Sequence, residues 1–521
     1  MVEHEVISTG GLLLTIIFPN IGLTANSKAG LPDPTLLLLA NSDGTGRYQA
    51  TMKLLTLIFC FLGSSIFAAP PNILFILTED QGAHMGALGT ADVKTPHMDA
   101  LAASGTLFRR AYVAYPVCSA SKACIMTGLH GHTSGLINNT NNHFKPADKL
   151  TEAEKKSPPY LHTRIRSTAP TLIEVLAAQG YHTAVSGKLH VSPNERFPYN
   201  DFIPKPAAKL ALEGVIKRAA GKPWFFMHNS TTFTHRPFVN SEKQPISIDP
   251  TKVKLPGHLP DTPTARRDWA EYLDGVQRND KVVGEVMTAL RESGAEANTV
   301  VIFMGDHGPA YQHGKMTPFH LGLHVPLIIR MPGAKPTACD ELVSELDLLP
   351  TLIDLLEVKY DSPLHGISLK PLLQGKADAK GHEFIFSEVS GRSLNKPRGM
   401  EERSVLDATH QLIVRSKLDE PKVINADLRD MKPWLNRIYG ETVRVKAQFP
   451  EAYRILSEMD PHALGGKPPV IELYDLKNDP DELHNLAADP AQRVHLERLF
   501  AAMKKWHADT QDSTMILPTL P

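Results

Sequence analysis

Pro71 to Asp80, PNILFILTED, is an unbroken apolar run too short for a helix, and it stops on the carboxylates Glu79 and Asp80. A run of that length without alternation is what a strand buried on both faces looks like, and such strands belong to parallel sheets covered by helices. The unit recurs along the chain. Thr95 to Gly105 reads as a short amphipathic helix closed by glycine, Thr106 to Tyr112 as a strand, Pro170 to Gln179 as a helix stopped by Gly180, and Tyr181 to Val185 as a strand running into Gly187, Lys188, Leu189 and His190. Trp224 to His228 is a strand leading into a polar loop with His235, Asp274 to Glu292 an amphipathic helix, and Thr299 to Met304 a strand ending in Gly305, Asp306 and His307. Val325 to Arg330 is one more strand, and Glu345 to Leu356 a helix despite its Pro350. Strands alternating with helices predict an α/β domain with a largely parallel sheet, in which ligands bind beyond the carboxyl ends of the strands. The residues able to do chemistry stand at those ends.

The stretch from Cys118 to His132, CSASKACIMTGLHGH, puts a thiol where a loop opens a helix. Ser119 or Ser121 is expected to be the N-cap, with Ala123 to Met126 continuing as helix. Cys118 then lies beside free N–H groups and the positive end of the helix dipole, a position that favours an anion.

With 42% hydrophobic and 21% charged residues, the 521-residue chain has ample material for a large core. A net charge of -1 provides no basic field for nucleic acid, so an anionic substrate must be recognised locally. Lys53 after Met52, the apolar run Leu54 to Phe61 and the small residues of Ser65 to Ala69 have the layout of a secretory signal peptide, with an apolar run too short to favour a membrane span. The expected organisation is an over-extended start over 1–51, a signal peptide over 52–69, a catalytic domain over 70–379 and a C-terminal subdomain over 380–521. Export to periplasm, medium or lysosome follows. Cys60 would leave with the signal, and Cys118, Cys124 and Cys339 make no disulfide framework. In the last part, His382 to Glu388, Ser404 to Thr409, Gln411 to Arg415 and Ile471 to Asp475 read as short antiparallel strands and Pro490 to Asp509 as a closing helix. Asp419 to Pro469 has no clear pattern.

The chain from Pro71 onward resembles the sulfatases. The stretches that carry the resemblance are PNILFILTEDQG at Pro71, TPHMDALAASGTLFRRAY at Thr95, the Cys118 stretch with Thr127 and Gly128, SGKLH at Ser186, THRP at Thr234, VVIFMGDHG at Val300, Lys315 to Pro326, VSELDLLPTLIDLL at Val343 and LYDLKNDPDELHNLA at Leu473. Several matches in order are far stronger than any one. The resemblance implies an alkaline-phosphatase-like fold, a largely parallel sheet sandwiched by helices with a smaller C-terminal α+β subdomain holding an antiparallel sheet. It implies that Cys118 is oxidised to formylglycine by a maturation enzyme, the hydrate supplying the nucleophilic hydroxyl, and that Ca2+ is held by Glu79, Asp80, Asp306, His307 and the Cys118 side chain. Lys122 and His190 would position the nucleophile, Asp306 would help activate it, Lys188 and Lys315 would bind the sulfate, and His235 would protonate the leaving atom. Ala120 stands for the usual Pro of the C-x-P-x-R signature, Lys122 for its Arg, Glu79 for the usual Asp, and His320 and His324 for a usual Glu and Arg, which is expected to reshape the pocket.

Within the family the heparan N-sulfatases are most similar, on LPDTPTARRDWAEYLDGVQRND at Leu259, the short interval from Asp306 to Lys315, and IELYDLKNDPDELHNLAADP at Ile471. The implied substrate is a sulfated saccharide with N-sulfated glucosamine. An O-sulfatase on other glycans, a phosphodiester or phosphonate hydrolase of the same superfamily and an inactive sugar-binding relative stay open. His84, His130, His132, His143, His182 and His313 have no assigned role.

Overall fold

The computed structural model describes residues 5–9 and 12–16, and then 70–520 apart from 141–148, 150, 156–162, 205–206, 231–232, 237, 239–244, 394–395, 417–446, 449, 452 and 455–468. The segment read as a signal peptide, Cys60, His143 and most of Asp419 to Pro469 lie outside the described residues. The chain divides into two units, Met1–Ala68 and Ala69–Pro521. In the first, strands β1 (Glu5–Thr9) and β2 (Leu12–Ile16) pair antiparallel.

The second unit is built on a nine-stranded sheet. Its strands are β3 (Asn72–Thr78), β4 (Thr106–Tyr112), β5 (His182–Gly187), β6 (Asp201–Ile203), β7 (Trp224–Ser230), β8 (Thr299–Gly305), β9 (His324–Arg330), β10 (Thr337–Cys339) and β11 (Val343–Ser344). They lie in the order β10-β4-β9-β8-β3-β7-β5-β6, with β11 also on β4. β9 runs antiparallel to both its neighbours, β4 and β8, and the other pairings are parallel. β3 sits between β8 and β7, buried along its length from Ile73 to Thr78, as its unbroken apolar run requires.

Helices α1 (Pro96–Ser104), α2 (Cys118–Thr127), α3 (Leu172–Ala178), α4 (Ala208–Ala219), α5 (Pro263–Glu292) and α6 (Leu348–Leu355) cover the sheet. Met98 and Leu101 of α1, Leu212 and Val215 of α4 and Val283, Val286 and Leu290 of α5 share one apolar core with Leu74, Ile76, Phe226, Phe303 and Ile328. The period of two along β3 turns Ile73 and Phe75 to the opposite face. One helix differs from expectation, and one meets it. α5 begins eleven residues before Asp274, at Pro263, because Thr262 caps it by accepting from Ala265 N and Pro263 fills the first turn. Pro350 breaks nothing, because it is the third residue of α6, where no intrahelical N–H bond is lost.

A separate four-stranded antiparallel sheet follows: β12 (Ile385–Ser393), β13 (Lys396–Leu406), β14 (His410–Arg415) and β15 (Ile471–Asp475). Helix α7 (Arg493–Asp509) buries Leu496, Leu499, Phe500 and Met503 against Val405, Leu412, Val414 and Leu473. Among the described residues no helix is long and apolar enough to cross a membrane.

Candidate active site

The carboxyl ends of β3, β7 and β8 are tied together by their own backbone. Glu79 N donates to Ser230 O at 3.0 Å, Asp306 N to Thr78 O at 2.9 Å, and Asp80 N to Asp306 Oδ1 at 2.9 Å. Glu79, Asp80 and Asp306 are therefore buried side by side just past the strands. Lys188 follows Gly187 at the end of β5. Gly187 has φ 80°, and a Cβ there would fall 2.3 Å from the Asn229 carbonyl oxygen, so only glycine lets the chain turn this close to β7. His307 and Lys315 come from the connection between β8 and β9, which Lys315 N closes by donating to Pro309 O at 2.8 Å.

Helix α2 starts at Cys118 itself, with Val117 as a cap that makes no side-chain bond. This corrects the expected cap at Ser119 or Ser121. Both serines are buried inside the helix because they have partners elsewhere: Thr140 N donates to Ser119 Oγ at 2.9 Å, and Ser121 Oγ lies 2.6 Å from the Asp306 carbonyl oxygen and 2.7 Å from Glu345 Oε2. Cys118 thus occupies the first helical position, at the positive end of the dipole.

Around Cys118 Sγ stand Lys315 Nζ at 3.2 Å, His307 Nε2 at 3.2 Å and Asp80 Oδ1 at 3.8 Å. Lys315 also meets Asp80 at 2.8 Å. One turn along α2, Lys122 bridges Glu79 at 2.9 Å and Asp306 at 2.7 Å, with all three side chains buried. Lys188 reaches Glu79 at 3.1 Å with a side chain 32% exposed, so it marks the side of the cluster that solvent reaches. His190 donates from Nε2 to the Thr140 carbonyl at 2.9 Å and offers a ring nitrogen within 4.8 Å of Glu79 and Cys118. His235 lies in the turn after β7. Thr234 anchors that turn by donating to the Glu79 carbonyl at 2.5 Å, and no side-chain bond joins His235 to Cys118.

These charges act on one another. Burial alone would keep Cys118 a thiol, but Lys315, Lys188 and His307, with a hydrogen bond from His190, bring its pKa well below the ordinary range. Burial pushes Glu79 up, and Lys122 with Lys188 outweighs it, holding the carboxyl at about 2. Burial likewise disfavours a charged His307, yet Asp306, Cys118 and Asp80 raise it to about 9.

His320 and His324 stand apart from this cluster, with ring centroids 4.8 Å from each other, His324 stacked on Tyr112 at 5.2 Å and donating to the Arg109 carbonyl at 2.8 Å. Burial lowers His324 to about 4 and His320 well below its ordinary value, so the pair is neutral. His313 stacks on Phe319 at 3.8 Å. Sequence reasoning missed Ser121, Glu345, Thr140, Thr234, Arg236, Asp268 and Asn279. Their partners lie far along the chain, so no local spacing marks them.

The residues present fit a hard divalent cation. Glu79, Asp80 and Asp306 are buried together past the strand ends, and Asp80, Cys118 and His307 offer ligand atoms within 4.8 Å of one another. His307 Nε2 would join them only once a cation displaced the proton that the surrounding negative charges hold there. Buried carboxylates supply the oxygen that such an ion prefers.

A model of the family described as Sulfatase matches residues 71–208 and 205–358. The chain belongs to the sulfatase family. As a sulfatase it is a hydrolase of sulfuric esters or sulfamates. The N-sulphoglucosamine sulphohydrolase of Homo sapiens is 28% identical over 500 residues, covering 87% of this sulfatase and 92% of the human protein. A solved 2-O GAG sulfatase superposes with a TM-score of 0.61 at 20% identity, over 86% of this chain and 95% of that one. A phosphonate monoester hydrolase from Silicibacter pomeroyi does so with a TM-score of 0.61 at 19% identity, over 85% and 96%. These likenesses show the alkaline-phosphatase-like fold, which sulfatases and phosphonate hydrolases share.

Proposed function

We propose that this sulfatase removes sulfate from a sulfated sugar, and that its substrate is the N-sulfated glucosamine of a heparan- or heparin-type saccharide. The observation that carries the reaction is the shell of cations around Cys118, where Lys315 and His307 each come within 3.2 Å of Sγ. The choice of sugar rests on the 28% identity to N-sulphoglucosamine sulphohydrolase. Formylglycine, made from Cys118 by a maturation enzyme, would place a hydrated aldehyde where Sγ lies. A calcium ion held by Glu79, Asp80, Asp306 and His307 would withdraw charge from the attacking hydroxyl and a sulfate oxygen.

The chain's own groups do the rest. Lys188 and Lys315 bind the oxygens of the transferring group, opposing the charge that grows there. Lys122 keeps Glu79 and Asp306 from spreading apart, and His190, pinned through Nε2 by Thr140, keeps its other nitrogen toward the nucleophile. His235 donates from Nδ1 to the Arg236 carbonyl at 2.9 Å. A carbonyl only accepts, so Nδ1 keeps its proton in that bond, and the second proton of the imidazolium form, on Nε2, is the one delivered to the departing nitrogen. Overall the S–N bond breaks, water supplies the fourth oxygen of sulfate, and the sugar leaves as an ammonium. The signal-like segment before Pro70 supports export of the enzyme.

The test is sulfate release from defined N-sulfated and 2-O-, 3-O- and 6-O-sulfated glucosamine saccharides. Turnover of the N-sulfated sugar is expected. Turnover confined to an O-sulfated sugar rejects the N-sulfatase assignment, and hydrolysis of phosphodiesters or phosphonates alone overturns the sulfate assignment.

A further inference from the structure

The turn that carries His235 is held on both sides by groups outside that chemistry. On the amino side, Thr234 is fixed to the Glu79 carbonyl at 2.5 Å and accepts from Asn279 Nδ2 of α5 at 3.0 Å. On the carboxyl side, Arg236 grips Asp268 of α5 with both arms of its fork, at 3.0 Å and 2.7 Å. Its Nε donates to the Ala310 carbonyl at 3.0 Å. The guanidinium carbon stands 4.3 Å from the Phe238 ring centroid and 4.6 Å from that of Tyr311, and the Tyr311 hydroxyl donates to Asp268 Oδ2 at 2.8 Å. Arg236 and Asp268 have side chains only 6% and 0% exposed.

We propose that Arg236, clamped by Asp268 and Tyr311, is a positioning residue for proton delivery: it immobilises its own backbone carbonyl, which orients the His235 imidazole, and through Ala310 it ties that turn to the loop carrying Lys315. The inference rests on the reading of His235 as proton donor. A buried ion pair adds little net stability relative to apolar groups of the same volume, so stability alone is a weak reason for this one. What a bidentate, ring-stacked guanidinium supplies is direction. A lysine ammonium would meet its acceptors from a single point, without the planar fork held beside the Phe238 and Tyr311 rings that fixes their directions. The loop on the far side passes the constraint on, because Tyr311 N and Lys315 N both donate to Pro309 O, each at 2.8 Å. Holding Ala310 and Tyr311 therefore holds the base of Lys315.

The experiment compares wild type with Arg236→Lys, Asp268→Asn and His235→Ala. Each is measured for kcat and KM on the sulfated saccharide, whose leaving atom needs a proton, and on 4-nitrophenyl sulfate, whose leaving group departs without one. A displaced proton donor should cost Arg236→Lys about 10- to 100-fold in kcat on the saccharide. KM should stay within about twofold, and the loss on the aryl sulfate should be much smaller. His235→Ala should show the same selectivity more strongly. Asp268→Asn repeats the test from the other partner if Arg236→Lys does not fold. If the aryl sulfate is not a substrate, the pH profile of kcat on the saccharide replaces it: a positioned acid gives an alkaline limb, which Arg236→Lys and His235→Ala should both weaken. Equal losses on both substrates, or an unchanged limb, for Arg236→Lys beside a selective His235→Ala overturn the positioning role alone. A His235→Ala without selectivity and without effect on the limb overturns the proton-donor reading and the clamp's role with it.

Discussion

Before any modification, Cys118 is a sulfur pressed between Lys315 Nζ and His307 Nε2, each 3.2 Å away. A thiol so placed is a thiolate: Lys315, Lys188 and His307 overcome the burial that would otherwise protonate it. A first prediction follows for protein produced without the maturation enzyme. Its thiolate absorbance at 240 nm should persist well below the ordinary thiol pKa of about 8.5, and Lys315→Met should move the titration upward. A thiol titrating in the ordinary range in the unsubstituted protein would contradict this arrangement. At this scale Glu79, Asp80, Asp306 and Lys188 could be placed from the sequence, because each directly follows an apolar strand and only one end of such a strand binds ligands, whereas Lys122 and Lys315 rested on the resemblance. Ser121 and Glu345 were not. Ser121 meets Glu345 across a separation of 224 residues, and nothing near either residue announces the contact.

Helix α5 shows why element boundaries were harder to see than elements. Its length from Asp274 onward was read from the apolar period while Pro263 to Leu273 was not, and the part that was read contains Gly275, an unlikely residue for a helix interior. That glycine is there because a Cβ would come 2.3 Å from the Phe233 carbonyl oxygen, in the turn that leads to Thr234 and His235. The second prediction turns on two opposing magnitudes. In an exposed helix, glycine to alanine gains about 0.8–1 kcal/mol. Here the clash is with backbone, and overpacking typically costs about 1–3 kcal/mol. Gly275→Ala should therefore lower stability, with a reduced urea midpoint, and should depress saccharide turnover as the His235 turn is displaced. An increased midpoint would mean that the helix and the turn separate more easily than this packing allows. The antiparallel β9 is a second feature that the strand pattern did not reveal, since its apolar run, VPLIIR, reads the same in either direction.

Across the whole molecule, the nucleophile's helix is coupled to the antiparallel sheet and the final helix through one polar core. Just beyond α2, His130 Nε2 accepts from Trp506 Nε1 of α7 at 3.0 Å, and His132 Nδ1 meets Glu388 of β12 at 2.8 Å. Arg403 of β13 holds Asp512, after α7, at 2.6 Å and lies 3.7 Å from Glu388. Burial disfavours charge on every member, yet Glu388 and Asp512 are held below the carboxylate range by the cations, and His132 is raised by Glu388 and Asp512 against the opposing Arg403. The signs differ. The depressed carboxylates stabilise the fold above the unfolded value of about 4 and lose that contribution as pH falls through their folded values. The raised histidine contributes fully below its unfolded value of about 6.5 and loses its contribution as pH climbs through the folded one. His130, stacked on His132, and His365, tilted against His130, are pushed the other way by burial and stay neutral in this range, while His382, raised by Asp347, adds a limb of the same sign. The third prediction isolates His132 by difference. His132→Asn keeps a donor for Glu388 without the titration, so the gap in urea midpoint between wild type and His132→Asn should be at its full width below about pH 6 and close as pH rises above about 6.5. The His382 limb is common to both proteins and cancels. A gap that stays constant from pH 5 to 9 would show that His132 contributes packing and no charge, and that the link from nucleophile helix to C-terminal sheet does not depend on protonation.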